Sequence, residues 1–325
     1  MQKIKVGIVG YGNLGKGVES AIKHSEWFEL VKIFSKREGL KSPFASEFEL
    51  TKNLDTYAKK IDVLFLCGGS FSDIETIGPE TIKKFNTVDS FDTHAKLEGY
   101  ITKLDKAAKA NEHVAVSAGG WDPGLMSMIR CIFNSISPVH TPANSFWGMG
   151  VSQGHSDAIR RIEGVKNAIQ YTVPSKKIVK NCGTMFDYVP QGNEKHERLC
   201  YVALQEGADA NKIKQEIVNM PNYFLGYKTI VKFVSEEKIK AMQQKMFHKG
   251  YVCKNFMCSD KHATKLEFSL DLASNPFFTA EILVSLACAV YKLYKEKKFG
   301  AYSVLDLPLS YLTMIDRKTL LKTIL

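Results

Sequence analysis

Apolar and polar positions change their pattern along the chain near residue 120. Before that point, short apolar runs alternate with segments of helical periodicity. The runs predict strands at Ile4–Gly10, Leu30–Ser35, Ile61–Leu66, Thr87–Ser90 and Val114–Ala118. Nearly continuous apolar strands separated by helices are typical of a parallel sheet that is covered on both faces. We therefore predict an α/β domain with a doubly wound parallel sheet over residues 1–120.

A different pattern begins at Trp121. Strands with alternating polar and apolar residues are predicted at Ala168–Val173, Leu199–Leu204, Thr229–Val234 and Lys265–Leu272. Helices are predicted at Asn211–Asn219 and from near Pro276 towards Lys297. This mixture predicts an α+β domain with a mixed or antiparallel sheet over residues 121–300. We expect the segment 301–325 to pack back on the first domain.

A glycine-rich turn follows the first predicted strand. Gly10, Gly12 and Gly15 have the GxGxxG spacing, with a strand before them and a helix after them. In Rossmann-type domains these glycines allow the turn, the approach of a pyrophosphate and the packing of helix on strand. The context favours a dinucleotide site over an ordinary glycine turn. We also expect Tyr11, Asn13 and Leu14 to contact the dinucleotide.

The end of the second predicted strand carries cations where an NAD-binding protein usually has a carboxylate. Ser35, Lys36 and Arg37 can donate hydrogen bonds to a 2′-phosphate, and the planar guanidinium of Arg37 suits phosphate oxygens. The pattern predicts NADP(H) rather than NAD(H). A solvated basic turn is the alternative.

Further cofactor contacts are expected from loops that follow other strands, because ligands bind outside the carboxyl ends of the strands in such sheets. The loop after the third predicted strand has the sequence Cys67-Gly68-Gly69-Ser70, which would also suit a plain glycine turn. The remaining expected contacts are Ser90, Phe91, Asp92, Trp121, Pro123 and Gly124.

Composition excludes several classes of protein. The chain has 325 residues, 45% of them hydrophobic, and a net charge of +10. Its lysines are spread without a basic stripe, so we predict no nucleic-acid partner. We find no signal-peptide pattern and no apolar run of bilayer length, which predicts no membrane partner and a cytoplasmic location. Seven cysteines without CxxC spacing favour a reduced chain without a zinc site.

Two short segments combine carboxylates with aromatic residues just after predicted strands. They are Asp89-Ser90-Phe91-Asp92-Thr93-His94 and Gly120-Trp121-Asp122-Pro123-Gly124. Carboxylates at such positions can hold a substrate ammonium next to a nicotinamide. Asp-Pro-Gly is also a common helix start, so Asp122 is equally well explained as an N-cap.

An ordered series of motifs then resembles the meso-diaminopimelate D-dehydrogenase family. It includes Gly10-Tyr11-Gly12-Asn13-Leu14-Gly15, both segments above, Phe146-Trp147-Gly148 and Ser152-Gln153-Gly154-His155-Ser156-Asp157-Ala158, and continues to Ser274-Asn275-Pro276. The resemblance implies an enzyme, an NADPH-dependent amino-acid dehydrogenase. Its reaction would be the reversible deamination of the D-centre of meso-2,6-diaminopimelate (DAP) to L-2-amino-6-oxopimelate, which cyclises to tetrahydrodipicolinate, and ammonia.

The same resemblance implies a role in lysine and cell-wall precursor synthesis, a homodimer, and a set of substrate residues. Asp92 and Asp122 match residues at the reacting end, and Trp147, Gln153 and Gly154 match residues that shape the pocket. The residues that match the distal L-amino acid end are Thr172, Arg198, His248 and Asn275. Taken alone, Arg198 would read as part of a solvated charge run, Asn275 as a helix cap and His248 as a surface or core histidine.

The chain departs from the family pattern at three positions. Phe247 and Lys249 stand where the pattern has proline and glycine, and Lys36 stands in place of a second arginine. Lys36 keeps the charge without the planar geometry, which predicts weaker discrimination against NAD. Two alternatives remain: an NADP-sensing regulatory protein without catalysis, or another NADP oxidoreductase of amino-acid synthesis. A semialdehyde dehydrogenase would need an activated cysteine, and we identify none.

Overall fold

The fold is that of a computed structural model, which describes residues 3–69, 73–137, 142–181, 190, 192–259 and 261–325. The strands are β1 (Ile4–Val9), β2 (Phe28–Ser35), β3 (Phe48–Leu50), β4 (Val63–Leu66), β5 (Thr87–Asp89), β6 (Val114–Ser117), β7 (Asn144–Trp147), β8 (Gly150–Val151), β9 (Val165–Pro174), β10 (His196–Leu204), β11 (Thr229–Phe233), β12 (His248–Met257), β13 (Ala263–Leu272) and β14 (Gly300–Ser303). The α-helices are α1 (Asn13–Lys23), α2 (Glu75–Thr81), α3 (Leu97–Ala110), α4 (Leu125–Ile136), α5 (Gln153–Arg160), α6 (Lys176–Asn181), α7 (Gly192–Lys195), α8 (Ala210–Val218), α9 (Glu236–Gln243), α10 (Asn275–Lys295) and α11 (Arg317–Thr323).

The chain forms two compact units. The first consists of Met1–Met128 and Pro276–Leu325, and the second of Ile129–Asn275. The observed divisions differ from the predicted boundaries after residues 120 and 300. The return to the first unit begins with α10, because buried residues of this helix such as Leu283 and Ala287 belong to the same hydrophobic core as β1 and β4.

The first unit is built on a seven-stranded sheet in the order β14-β6-β5-β4-β1-β2-β3. Every strand pair in it is parallel. The apolar strands are buried because helices cover the sheet. This confirms the predicted Rossmann-type, doubly wound sheet.

Helix α10 is long and apolar enough to cross a bilayer by length and composition, and 56% of its apolar window is buried within the chain. Its first turn also packs on helix α1, where an added Cβ at Gly17 would lie 3.1 Å from the Cα of Phe277. Burial of an apolar helix in a protein core explains this composition without a membrane.

The second unit contains two sheets. One has the order β11-β10-β9-β8, with a parallel β10–β11 pair beside antiparallel pairs, and the other has the antiparallel order β13-β12-β7. Residues of α5 and α8 pack with one face of the first sheet, and Ile239 of α9 packs with the other face. The predicted α+β architecture is confirmed.

The cysteines correct one expectation. Cys67, Cys200 and Cys288 are buried free thiols, and Cys131 and Cys258 are exposed free thiols. Cys253 is disulfide-bonded, so the expectation of a fully reduced chain is wrong at this residue.

Candidate active site

The glycine-rich loop joins β1 to α1 in the first unit. Gly10 follows the last residue of β1 and has φ +93°, a conformation that residues with a side chain rarely adopt. A Cβ added at Gly15 would lie 2.1 Å from the carbonyl oxygen of Gly10, whereas a Cβ at Gly12 would meet no atom within 4 Å. Gly15 is therefore needed for packing of the loop on α1, while Gly12 leaves space for a ligand to approach the backbone.

A cavity of about 270 Å³ lies in front of this loop, within the first unit. Residues predicted to contact the cofactor form much of its lining, namely Gly10, Tyr11, Gly12, Ser35, Lys36, Arg37, Cys67, Gly68 and Gly69. Residues that we did not predict complete it, namely Val9, Thr51, Leu66, Asp73, Ile74 and Ile77. Ser70 lies outside the described residues. Burial raises the pKa of the Cys67 thiol, which therefore stays protonated.

The cations after β2 line this cavity as predicted. The backbone N–H of Arg37 donates to Oγ of Ser35 at 3.0 Å, and its guanidinium Nη2 donates to the carbonyl oxygen of Tyr11 at 3.3 Å. The Nζ of Lys36 lies 3.3 Å from a carboxylate oxygen of Asp73. Two cations beside a glycine loop fit the phosphate groups of a dinucleotide.

The predicted contacts after β5 have different environments. Asp89 is buried and accepts hydrogen bonds from Oγ of Ser117 at 2.6 Å, from the hydroxyl of Tyr100 at 3.0 Å and from the backbone N–H of Phe91 at 3.0 Å. Burial raises the pKa of Asp89, and these hydrogen bonds oppose the rise. The ring of Phe91 is buried and stacks on Tyr100, so any cofactor contact of Phe91 would come from its backbone. Asp92 is exposed.

The segment after β6 forms a tight glycine-lined turn. Isolated bridges join Gly124 to Gly120 and Trp121, and helix α4 begins at Leu125. Trp121 is buried and Asp122 is half-buried. Some predicted contacts do not line the cavity of the first unit, namely Asn13, Leu14, Ser90, Phe91, Asp92, Trp121, Pro123 and Gly124.

A buried guanidinium dominates the polar residues of the second unit. Arg198 on β10 is 4% exposed, and its Nη1 donates to Oγ1 of Thr172 on β9 at 3.0 Å. The Arg198 guanidinium carbon lies 4.2 Å from the ring centroid of Tyr227. Within the described part of the chain, Arg198 has no carboxylate partner, and its Nε has no hydrogen-bond partner. An unpaired buried cation is costly, so this position fits an anionic ligand. The interpretation of Arg198 as part of a solvated charge run is wrong.

Two histidines lie near this guanidinium. The Nε2 of His196 accepts a hydrogen bond from the backbone N–H of Trp147 at 2.8 Å, and the Trp147 and His196 rings stack at 5.3 Å. Burial, followed by the charges of Arg198, Lys195 and His248, lowers the pKa of His196 to about 3. Burial and the charge of Arg198 lower the pKa of His155 to about 4. Both rings are therefore neutral at neutral pH, and Arg198 supplies the positive charge.

His248 lies at the start of β12 and is buried. Its ring is nearly perpendicular to the Trp147 ring, with centroids 6.3 Å apart, so His248, Trp147 and His196 form one aromatic cluster. A Cβ at Gly150 would lie 2.2 Å from the His248 ring, so only glycine admits this contact. The interpretation of His248 as a surface histidine is wrong.

The two departures beside His248 have local partners. Phe247 packs against Tyr171 with ring centroids 5.8 Å apart, and Lys249 forms an ion pair with Asp271 at 2.5 Å. Lys249 and Asp271 are opposite each other in the β12–β13 register. These contacts hold the strand without the proline and glycine of the family pattern.

The remaining predicted substrate residues lie at helix starts. Gln153 and Gly154 are exposed in the first turn of α5. Asn275 is the first residue of α10, and its backbone N–H donates to the carbonyl oxygen of Met246 at 2.8 Å. Asn275 is half-buried.

Sequence reasoning missed His196, Tyr227 and Gln170 in the second unit. His196 is two residues from Arg198 on one strand, so period-2 alternation places both on the same face. Gln170 is fully buried, and its amide oxygen and nitrogen have no partner among the described residues. No group of three or more His, Cys, Asp or Glu side chains in the described part of the chain is placed to hold a metal ion.

The fold and these sites define a dehydrogenase with a dinucleotide-binding unit and a separate unit that carries the buried guanidinium of Arg198. A family model, the diaminopimelic acid dehydrogenase C-terminal domain, matches residues 120–274. The chain is 45% identical to a meso-diaminopimelate D-dehydrogenase of Lysinibacillus sphaericus, with all of both chains covered. It therefore belongs to the meso-diaminopimelate D-dehydrogenase family.

Solved structures agree with this assignment. A Corynebacterium glutamicum DAP dehydrogenase in complex with DAP is similar with a TM-score of 0.94 and 34% identity, and 100% of both chains is covered. An engineered D-amino acid dehydrogenase bound to NADP+ is similar with a TM-score of 0.90 and 32% identity, again with 100% of both chains covered.

Proposed function

We propose that the protein catalyses the reversible, NADP(H)-dependent oxidative deamination of the D-centre of meso-DAP, giving L-2-amino-6-oxopimelate and ammonia. The observation that carries this proposal is the buried Arg198 beside Thr172, which has no carboxylate partner among the described residues, in a family whose relatives act on a dicarboxylic diamine. A carboxylate is the ligand that best neutralises a buried guanidinium.

The distal L-amino acid end of DAP is assigned to the second unit. Arg198 binds the carboxylate, and Thr172 and His248 add hydrogen-bonding groups. Asn275 is assigned to the same end. Trp147, Gln153 and Gly154 shape the pocket around the substrate. A monoamino acid without the distal carboxylate would leave Arg198 unpaired, which gives selectivity for the longer dicarboxylic substrate.

The reacting D-amino acid end is assigned to Asp92 and Asp122 of the first unit. Their negative charges hold the substrate ammonium, and one of them, or a water that it holds, accepts its proton. The amine then donates its electron pair as the D-carbon loses hydride, and water hydrolyses the resulting imine to the oxo acid and ammonia. NADP+, when bound, supplies the hydride acceptor.

The cofactor assignment is supported by the cavity of the first unit. Gly12 leaves open space beside the backbone, and Arg37 and Lys36 provide the positive charge that a 2′-phosphate requires. Lys36 is already close to Asp73, so it adds less to phosphate binding than a free cation would.

The decisive experiment mixes the purified protein with NADP+ and separately with meso-, LL- and DD-DAP, and follows the absorbance of reduced nicotinamide. Strong turnover with the meso isomer alone is expected, accompanied by release of one ammonia per reduced cofactor. Binding of NADP+ without turnover of any isomer would contradict the enzyme assignment and favour an NADP-sensing regulatory protein.

We also propose that the protein is a cytoplasmic homodimer that serves lysine and cell-wall precursor synthesis. Helix α4 supports self-association, because two of its large apolar residues are exposed: Ile132 is 41% exposed and Ile136 is 54% exposed. Size-exclusion chromatography with light scattering should give twice the chain mass, and Ile132→Glu should lower it. Cell fractionation tests the location.

A further inference from the structure

A buried carboxylate joins two loops of the first unit. Glu19 lies on α1 and is 0% exposed. One of its carboxylate oxygens accepts a hydrogen bond from the hydroxyl of Tyr11, and the other accepts one from Oγ of Ser42 at 2.5 Å. Both oxygens of Glu19 therefore accept from hydroxyl groups, of residues that lie 8 and 23 positions away in the chain.

The two partners of Glu19 belong to the two segments that line the predicted phosphate sites. Tyr11 stands between Gly10 and Gly12 in the glycine loop. Ser42 lies in the connection between β2 and β3, which begins with Lys36 and Arg37. Glu19 thus anchors the pyrophosphate loop and the cationic segment to the same helix.

The same two segments also meet at the cavity. The guanidinium Nη2 of Arg37 donates to the carbonyl oxygen of Tyr11 at 3.3 Å. The Tyr11 ring is buried and packs edge-to-face on Phe48 with centroids 4.9 Å apart. The Tyr11 backbone that receives Arg37 is therefore held from the other side by its own buried side chain and Glu19.

A carboxylate in this position needs an explanation beyond packing. Burial of a carboxylate is unfavourable unless hydrogen bonds compensate for the lost water, and an apolar side chain would fill the same space at lower cost. Burial, together with the hydrogen bond to Glu19, raises the pKa of Tyr11 to about 12, so the Tyr11 hydroxyl remains a donor over the working pH range.

We propose that Glu19 is a positioning residue for cofactor choice. Through Tyr11 and Ser42 it fixes Arg37 where a 2′-phosphate is bound, and it thereby sets the preference for NADP(H) over NAD(H). This inference rests on the proposed use of NADP(H) by the same cavity.

The test measures dissociation constants of NADP+ and NAD+ by titration calorimetry for the wild type, for four single variants, and for Arg37→Ala with and without Tyr11→Phe. Tyr11→Phe removes one hydrogen bond to Glu19 and keeps the ring. Glu19→Ala removes both hydrogen bonds, and Glu19→Gln keeps an acceptor and the side-chain shape. The control is Tyr302→Phe on β14, at the opposite edge of the sheet from β3, which removes the hydroxyl that donates to the carbonyl oxygen of Lys298.

Tyr11→Phe should weaken NADP+ binding about fivefold, because the Tyr11 backbone that receives Arg37 loses one of its two anchors, with a smaller effect on NAD+. Glu19→Ala should lower the NADP+/NAD+ preference further, Glu19→Gln should restore most of it, and Tyr302→Phe should not change it. In a double-mutant cycle, Tyr11→Phe should have little additional effect on NADP+ binding once Arg37 is replaced by alanine.

The wild-type preference is measured first. If the wild type does not prefer NADP+, the proposed cofactor is wrong. If it does, and Tyr11→Phe and Glu19→Ala weaken both cofactors equally or neither, the role of Glu19 is wrong while the cofactor assignment stands. Tyr11→Phe alone decides the matter if Glu19→Ala does not fold.

Discussion

Arg198 and Thr172 are directly opposite each other on strands β10 and β9, and the guanidinium Nη1 donates a hydrogen bond of 3.0 Å to Oγ1 of Thr172. This bond orients a planar fork whose Nε has no partner in the described part of the chain. The pair therefore leaves the Nε–H donor of a buried cation available for hydrogen bonding.

Replacement of Arg198 by lysine tests the importance of that geometry. Arg198→Lys keeps the positive charge and loses the bidentate fork, so the KM for meso-DAP should rise at least about tenfold while the affinity for NADP+ is unchanged. Steady-state kinetics and cofactor titration measure both quantities. The matched control is Arg161→Lys on the surface, which should leave the KM unchanged. An equal KM in both variants would remove Arg198 from the substrate site.

The carboxylate of Asp122 is expected to act on the reacting amine. Asp122→Asn keeps the side-chain size and removes the charge, so kcat should fall by about 100-fold or more, the usual range for loss of an acid–base group. Binding of NADP+ should stay within about twofold of the wild type, because Asp122 does not line the cavity in front of the glycine loop. The exposed Asp55, which pairs with Lys84, provides the control variant Asp55→Asn. Full turnover by Asp122→Asn would leave Asp122 with a structural role only.

The glycine loop allows a pair of substitutions with opposite expected effects. Gly15→Ala would place a Cβ 2.1 Å from the carbonyl oxygen of Gly10, so the free energy of unfolding should fall by about 1–3 kcal/mol. Gly12→Ala meets no protein atom within 4 Å, so stability should change by no more than about 0.5 kcal/mol.

NADP+ binding should respond in the opposite way to stability: Gly12→Ala should weaken it more than Gly15→Ala does in the protein that still folds. The methyl group of Gly12→Ala would occupy the space in which the pyrophosphate approaches the backbone, and NADP+ affinity should fall at least about tenfold. Urea unfolding and cofactor titration measure the two effects. Normal NADP+ affinity of Gly12→Ala would show that the dinucleotide does not bind at this loop.

Much of the first unit follows from local sequence patterns. The first strand, the glycine turn and the cations after Ser35 agree with prediction, because apolar periodicity and glycine spacing are properties of neighbouring residues; the strand ends at Val9, one residue before its predicted end. The strand β3 was missed because three residues are too few to show a period. Asp73 and Glu19 were missed because their partners, Lys36 and Tyr11 among them, are brought together only by folding.

The second unit was less accessible to sequence reasoning. Without the family resemblance, the sequence indicates that Arg198 belongs to a solvated charge run, because Lys195, Glu197 and Arg198 are close together in sequence. Strand alternation buries His196 and Arg198 on one face and leaves Glu197 to pair with Lys228 on the other. Only the family resemblance indicated the distal site, because the charge pattern does not reveal which strand residues face a core.

The neutral histidines predict that the second unit loses stability in acid. His196 and His155 have pKa values of about 3 and about 4 in the folded protein, below the ordinary value of 6.5. The unfolded chain therefore binds more protons than the folded chain between pH 6.5 and those values. The free energy of unfolding should fall as pH decreases through this window, by up to about 1.4 kcal/mol per pH unit for each histidine.

Urea unfolding at pH 7, 6 and 5 measures the slope of the free energy of unfolding against pH. His196→Gln keeps an acceptor for the Trp147 N–H and cannot gain a proton, so its slope should be smaller by the contribution of one histidine. Equal slopes in the wild type and His196→Gln would mean that His196 is already protonated, or solvent-accessible, in the folded state.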